Sequence, residues 1–126
     1  MSKKRIDSWI PAAKQALIEL EIVRDGHIDK GFLSQITEFG AAVVMGRLRS
    51  AVAFYADSGN AEVDREKLVS AMYFCIFGEI KSAEDVLEFV YENESPDLKE
   101  KFTDASVALK LAMNFFSFRN GEAQDE

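Results

Sequence analysis

Few side chains in this 126-residue sequence are of the types that enzymes use for acid–base, nucleophilic or metal chemistry. His27 is the only histidine, which excludes a multi-histidine zinc site, and its place between Gly26 and Ile28 predicts an exposed turn residue rather than the base of a Ser–His–Asp triad. Cys75 is the only cysteine and has apolar residues on both sides. Burial would raise the pKa of its thiol and oppose nucleophilic use, so we expect Cys75 in the core and no enzymatic activity.

Three glutamates, Glu84, Glu88 and Glu92, share one face of a predicted helix at four-residue spacing. Carboxylates in this arrangement bind metals in four-helix bundles together with Glu-x-x-His elements, which the sequence lacks. The glycines are isolated and lack the Lys-Ser/Thr pair of a phosphate-binding loop. We interpret the three glutamates as a solvated acidic face and expect neither a metal nor another cofactor.

Basic side chains offer a different chemistry, which is electrostatic contact with a nucleic-acid backbone. Arg47 and Arg49 flank the corner after Gly46. Residues two apart on a helix point about 200° apart, so both arginines can face one partner only where the turn is not helical. Arg65 and Lys67 lie in the first turn of a predicted helix. The candidate nucleic-acid contacts are Lys14, Arg47, Arg49, Arg65, Lys67, Lys99 and Lys110.

The last predicted helix carries an acid-free polar stripe at spacings of three and four residues. Small hydrogen-bonding groups and lysines at this spacing suit a surface that lies against a sugar-phosphate backbone. The alternative is an ordinary solvated helix face. The members of this polar stripe are Lys99, Thr103, Ser106, Lys110, Asn114 and Ser117.

The net charge of −7 argues against a free-standing nucleic-acid binder, because sequence-independent affinity depends on many contacts between cations and phosphates. The charge is unevenly distributed along the chain. Residues 1–58 carry eight basic and seven acidic side chains, whereas residues 59–126 carry seven basic and fifteen acidic ones. A basic face can therefore exist on this acidic protein, and we expect any nucleic-acid binding to be shared with other subunits.

Length and composition predict one domain over residues 1–126, with 48% hydrophobic residues to form its core. A single cysteine excludes an internal disulfide and suits a reducing cytoplasm. No apolar run approaches the roughly 18 to 20 residues that span a bilayer, and the basic start of the chain lacks the apolar segment of a secretory signal. We expect a cytoplasmic protein without membrane contact.

Apolar residues recur at spacings of three and four along most of the chain, which predicts an all-α bundle of about six helices and no strands. Pro11 falls in the first turn of the first predicted helix, and Gly26 is predicted to end that helix in a left-handed cap. A β-hairpin over 43–54 is the alternative, but five alanines in 41–56 and the lack of strict alternation favour helices. The predicted helices cover residues 8–25, 31–45, 48–57, 64–77, 82–91 and 95–116, with flexible ends at 1–6 and 119–126.

The end of the last predicted helix is rich in phenylalanine. Phe115, Phe116 and Phe118 cover more than one helix face, so a monomer would bury all three with difficulty. Core packing is one explanation, and contact with another subunit is the other. We treat Phe115 and Phe118 as candidate subunit-interface residues.

Four segments in this order resemble the Cmr small-subunit family, the small helical subunit of type III-B CRISPR effector complexes. The resemblance is clearest in FGAAVVMGRLRSAVAFYAD at residues 39–57. It extends to RIDSWIPAAKQAL at 5–17, DREKLVSAMYF at 64–74 and DASVALKLAMNFF at 104–116. The sequence departs from the family at Arg47, where the family tends to have glycine.

The resemblance implies a non-catalytic subunit that stacks as a short filament beside the backbone and large subunits of a ribonucleoprotein used in antiviral defence. Its partners would be those subunits, copies of itself, the guide RNA and the target RNA. It would contact RNA through the backbone, because guide pairing reads the sequence. The alternatives are a helical protein–protein adaptor without RNA contact, which a pI of 4.8 favours, and the small subunit of a type III-A complex or another helical bundle.

Overall fold

The chain forms a bundle of six helices with one small sheet, in a computed structural model that describes residues 1–57 and 63–119. This architecture confirms the predicted all-α fold class. No helix within these two ranges combines the length and the apolar character needed to cross a bilayer. In chain order the elements are α1 (Lys3–Glu19), β1 (Val23–Arg24), β2 (His27–Asp29), α2 (Lys30–Met45), α3 (Leu48–Tyr55), α4 (Glu66–Phe77), α5 (Ala83–Asn93), α6 (Pro96–Met113) and β3 (Ser117–Arg119).

The helix α6 is the centre of the bundle and packs against α1, α2 and α4. Leu109 and Phe102 on α6 are fully buried, as is Leu17 on α1. Helix α4 is buried on nearly every side, since each residue from 68 to 75 lies in the core. This burial explains why its apolar residues follow no single stripe.

The segment 39–57 forms the end of α2, a corner and α3, which confirms the helical interpretation over the hairpin. Phe39 on α2 and Tyr55 on α3 are buried and meet edge to face, with ring centroids 5.3 Å apart. Such aromatic pairs add to the stabilisation from burial alone. The segment that carries the family resemblance is therefore a core helical pair.

Three local signals mark helix ends as the sequence predicts. The Ser82 hydroxyl accepts a hydrogen bond from the Asp85 N–H at 3.1 Å and begins α5. The Ser95 hydroxyl does the same for the Leu98 N–H at 3.0 Å and begins α6. Gly78 ends α4 with φ +75°. These caps satisfy backbone groups that helix ends otherwise leave without partners.

The small sheet corrects the expectation of no strands. β2 is its middle strand, antiparallel to β1 and parallel to β3. Asp25 and Gly26 connect β1 to β2 with φ of 53° and 77°, and positive φ at both positions is what a type I′ hairpin turn requires. Gly26 is thus a hairpin residue and not the predicted helix cap, because α1 ends at Glu19.

The first helix also begins earlier than predicted. The Ser2 hydroxyl accepts a hydrogen bond from the Arg5 N–H at 3.2 Å, so α1 starts at Lys3 and Pro11 lies inside the helix. The Arg5 guanidinium lies 3.0 Å from the carboxylate of Asp104, which has no exposed surface. Residues 1–6, predicted to be a flexible end, are held to α6 by this ion pair. Residues 120–126, from the other predicted end, lie outside the described residues.

The last helix ends three residues before the sequence predicts. Asn114 caps α6, and the chain then turns into β3. Phe116 and Ser117 are therefore not on the helix, and the predicted polar stripe loses its last member. The parallel pairing of β3 with β2 sets this end, a contact between residues about 90 positions apart in the chain.

Candidate nucleic-acid interface

Arg65, one of the predicted contacts, hydrogen-bonds carbonyls at the C-terminal end of α3. Its guanidinium donates to the Phe54 carbonyl at 3.1 Å and to the Asp57 carbonyl at 2.8 Å, and it stacks over the Phe54 ring at 4.2 Å. A cation at these last carbonyls complements the negative end of the helix dipole. The Nε and one Nη of Arg65 are thus already hydrogen-bonded within the chain.

Arg49 joins α3 to α5. Its Nε lies 3.1 Å from a Glu94 carboxylate oxygen, and an Nη donates to the Tyr91 carbonyl at 2.6 Å. The second Glu94 oxygen accepts from the Arg49 backbone N–H at 3.2 Å, so Glu94 also caps α3 from another element. This carboxylate neutralises Arg49 and occupies the N-terminal end of α3, where an anion would otherwise bind.

Lys99 and Lys14 also have partners within the protein. The Lys99 ammonium donates to the Gly46 carbonyl at 3.2 Å, at the C-terminal end of α2. The Lys14 ammonium lies 4.2 Å from the centre of the Phe115 ring, a cation–π contact between α1 and the turn after α6. Four of the seven predicted contacts therefore connect elements of the fold.

Arg47, Lys67 and Lys110 are the remaining three, and none of their side chains has a hydrogen bond, an ion pair or a ring contact with residues 1–57 or 63–119. Arg47 is exposed and extended at the N-cap of α3, whereas Lys67 lies in the first turn of α4. Arg65, two residues before Lys67, holds that turn against the end of α3. Arg47 and Lys67 thus lie near opposite ends of α3, a helix about 12 Å long.

Arg47 and Arg49, at the corner between α2 and α3, do not face the same side. Arg47 has φ −117° and ψ 148°, outside the helix, while Arg49 is inside it and turned toward α5. The two arginines therefore differ in their contacts: Arg49 connects α3 to α5, whereas the Arg47 side chain has no polar partner within residues 1–57 and 63–119.

The two hydroxyl groups in the middle of the polar stripe on α6 are not free donors. The Thr103 hydroxyl donates to the Lys99 carbonyl at 2.9 Å, and the Ser106 hydroxyl donates to the Thr103 carbonyl at 2.7 Å. Ser106 is buried against α2, where a Cβ on Gly40 would lie 3.5 Å from its Oγ. The middle of the predicted stripe is therefore a helix–helix contact, and Lys110 is its exposed cation.

A groove of about 400 Å³ lies beside that contact, between α2 and α6. No sequence motif marks this groove, and the signal for it is the pair of apolar residues Val44 and Met45 at the end of α2, which the structure exposes to solvent. Its lining residues are Met1, Ile36, Thr37, Gly40, Ala41, Val44, Met45, Thr103, Ser106, Val107 and Lys110.

Cys75 and His27, the single cysteine and the single histidine of the sequence, lie in the core and in the small sheet. Cys75 is buried in the core as predicted, and burial raises the pKa of its thiol to about 12. His27 lies half-buried in β2 between Arg24 and Ser117, which corrects the prediction of an exposed turn residue. Among the described residues, no group of three or more His, Cys, Asp or Glu is placed to hold a metal ion.

The two predicted subunit-interface residues lie in different environments. Phe115 is 62% exposed and supports Lys14, whereas Phe118 is half-buried in β3 and packs against the core. Ile18, four residues after Lys14, and Leu111, four residues before Phe115, are also exposed. Of the two residues, Phe115 is the one with a ring accessible to another subunit, because Phe118 would have to leave its place against the core.

The chain matches no protein-family model, no curated protein and no solved structure.

Proposed function

We propose that this chain is a non-catalytic small subunit of a type III-B CRISPR ribonucleoprotein effector, where it stacks along the guide–target RNA and stabilises target binding through backbone contacts. The observation that supports this proposal most is the ordered set of four segments that resemble the Cmr small subunits. These segments contribute to α1, the α2–α3 pair, α4 and α6. The likeness therefore falls on the helices that form the core.

Arg47 and Lys67 are the residues that we assign to the RNA backbone. Neither side chain has a polar or ring partner among the described residues, and the two residues lie near opposite ends of α3. An unpaired cation binds phosphate without first breaking an internal ion pair, so these two give more affinity per residue than Arg49 or Arg65. Two contacts alone give weak binding, which fits a subunit that acts inside an assembly.

Co-expression with the other type III-B subunits and a guide RNA tests the proposal. The chain is expected to co-purify with the backbone and large subunits in a complex that retains target RNA. Omitting the chain is expected to weaken target retention without abolishing target cleavage, because the chain supplies no catalytic group. A complex that forms and holds target RNA equally well without the chain would contradict the proposal.

A helical adaptor without RNA contact is the second candidate. Two observations favour it: four of the seven predicted cations have internal partners, and the groove between α2 and α6 is largely apolar. The adaptor would assemble with protein subunits through apolar surfaces. If the chain is such an adaptor, replacing Arg47 and Lys67 by alanine changes neither its co-purification with the protein subunits nor the RNA retention of the complex.

A further inference from the structure

The groove between α2 and α6 is bordered by apolar side chains that no described residue covers. Val44 is 66% exposed and Met45 is 87% exposed, both at the end of α2. Gly40, Ala41 and Ser106 keep the floor low because their side chains are small. A depression with a low floor and apolar walls is a surface that a partner side chain can enter.

The hydroxyl groups in the groove are already hydrogen-bonded within their own helices. Thr37 donates to the Leu33 carbonyl at 2.9 Å, and Thr103 and Ser106 donate to carbonyls of α6. A hydroxyl has one proton to donate, so none of the three is free for a phosphate oxygen. Among the described lining residues, Lys110 is the one lysine or arginine, and the Met1 ammonium is already paired with Glu100 at 3.0 Å. A nucleic-acid backbone would therefore bury phosphates here with few cationic partners, whereas an apolar occupant needs none.

The groove has the length of a short helix. It follows α6 from Thr103 to Lys110, eight residues with a rise of about 10 Å, which corresponds to two helical turns. Parallel ridges of two neighbouring helices accept the side chains of a third at three- and four-residue spacing. Lys110, without a carboxylate partner among the described residues, lies at one end and supplies charge complementarity to an acidic residue.

We propose that this groove binds one amphipathic helix of a different protein. About two turns of that helix carry an apolar stripe at positions i, i+3 or i+4, and i+7, and a carboxylate lies beside Lys110. This is the helix-in-groove mode of recognition, in which the apolar stripe supplies affinity and the ion pair sets the register. The inference does not depend on RNA binding.

A second copy of the chain is a poorer occupant. Helix α5 has the carboxylates Glu84 and Glu88, but its apolar Val86 and Val90 are buried and its exposed Tyr91 lies over Arg49. No helix within residues 1–57 and 63–119 combines carboxylates with an exposed apolar stripe of two turns. The complementary helix is therefore supplied by another protein.

The isolated chain can be tested against a panel of stapled, fluorescent helical peptides of about four turns. Each peptide carries leucines at i, i+4 and i+7, and the panel moves a single glutamate through the remaining positions. Fluorescence anisotropy is expected to show saturable binding for the subset that places the glutamate near Lys110. Val44→Asp is expected to weaken that binding at least about tenfold, because it places a charge on the apolar wall.

Ile18→Asp is the matched control, since Ile18 is similarly exposed at 54% but lies on α1 outside the groove. It is expected to leave peptide affinity unchanged. Lys110→Glu is expected to lower the affinity for the glutamate peptide and to raise the affinity for a peptide with lysine at the same position. Circular dichroism of each variant establishes that the bundle is folded.

Four results would overturn the inference. The first is no binding by any peptide of the panel, and the second is binding that Val44→Asp does not weaken. The third is self-association of the chain that Val44→Asp abolishes, which would make a second copy the occupant. Competition by a single-stranded RNA for the peptide site would likewise assign the groove to nucleic acid.

Discussion

At the scale of the residue, the main result is the separation of cations that hold the fold from cations that are free. Arg49, Arg65 and Lys99 donate to carbonyls of other elements, and Lys14 lies over an aromatic ring. The sequence identifies all of them as basic residues and as candidate nucleic-acid contacts. It cannot show their partners, because the Arg65 contacts join residues eight and eleven positions apart in the chain.

Arg65→Ala tests the structural assignment of that arginine. It removes the cation from the end of α3, so we expect a loss of about 1–2 kcal/mol in the free energy of unfolding, measured by urea denaturation. Arg65→Lys is expected to restore little, because an ammonium cannot reach two carbonyls and stack on Phe54 at once. Lys67→Ala removes the same charge two residues away, and a change within about 0.5 kcal/mol is expected there. An unchanged stability of Arg65→Ala would return Arg65 to the set of free cations.

Alkaline pH is expected to destabilise the protein through two buried groups. Burial raises the pKa of the Cys75 thiol from 9.0 to about 12. Burial, with a smaller contribution from Glu38, raises the pKa of Tyr55 from 10.0 to about 12, although Arg65 opposes the shift. Above about pH 9 the unfolded chain releases these protons before the native one does, so stability falls as pH rises toward 12.

Urea titrations at a series of pH values above about 8 measure this fall. In Cys75→Ala the decline is expected to begin later, near the ordinary pKa of tyrosine, because only Tyr55 remains. The native thiol is also expected to resist a disulfide reagent near pH 8 and to react when the chain is unfolded. Rapid reaction of the folded protein, or identical pH profiles for both proteins, would show that Cys75 is accessible.

At the scale of the element, local signals predict helices well where one residue decides the end. Ser82, Ser95 and Gly78 act within a single turn, so the sequence places the beginnings of α5 and α6 and the end of α4 correctly. Asp25-Gly26 is ambiguous because the same glycine preference serves a helix cap and a type I′ hairpin. The choice depends on where α1 ends, and no single residue near Glu19 announces that end.

The start of α1 and the strand β3 depend on distant contacts. Lys3, Lys4 and Arg5 are unfavourable in a first helical turn because of the helix dipole. The Ser2 cap and the buried Asp104 carboxylate, about 100 residues away, compensate for them. A local pattern contains no information about such a partner.

The hairpin turn gives a prediction with internal controls. Gly26→Ala is expected to reduce the free energy of unfolding by about 1 kcal/mol, because alanine is strained at φ +77° although no atom lies within 4 Å of its Cβ. Gly78→Ala, with φ +75° and equally open space, is expected to lose a similar amount. Gly40→Ala lies inside α2 and meets Ser106 at an ordinary 3.5 Å, so a gain of about 0.5–1 kcal/mol is expected. A loss at Gly40 as large as that at Gly26 would show that packing, not φ, controls these sites.

At the scale of the whole molecule, the acidic composition limits the proposed RNA contact to a few cations that have no partner among the described residues. Arg47 and Lys67 lie by α3, while Glu84, Glu88 and Glu92 are exposed on α5. The fold class was predictable from apolar periodicity. Which cations are free was not, because pairing is decided by tertiary contacts that bring α3, α5 and the start of α4 together.

The most direct test of the RNA assignment is target RNA retention by the assembled type III-B complex, measured as a function of salt. The variant Arg47→Ala/Lys67→Ala is compared with Lys4→Ala/Lys30→Ala, which removes the same charge from exposed lysines away from α3. The first variant is expected to bind target RNA more weakly and to reduce the log–log salt slope by about 2, one for each phosphate contact. The second is expected to match the unmodified complex. An unchanged slope for Arg47→Ala/Lys67→Ala, or equal losses in both variants, would contradict the assignment.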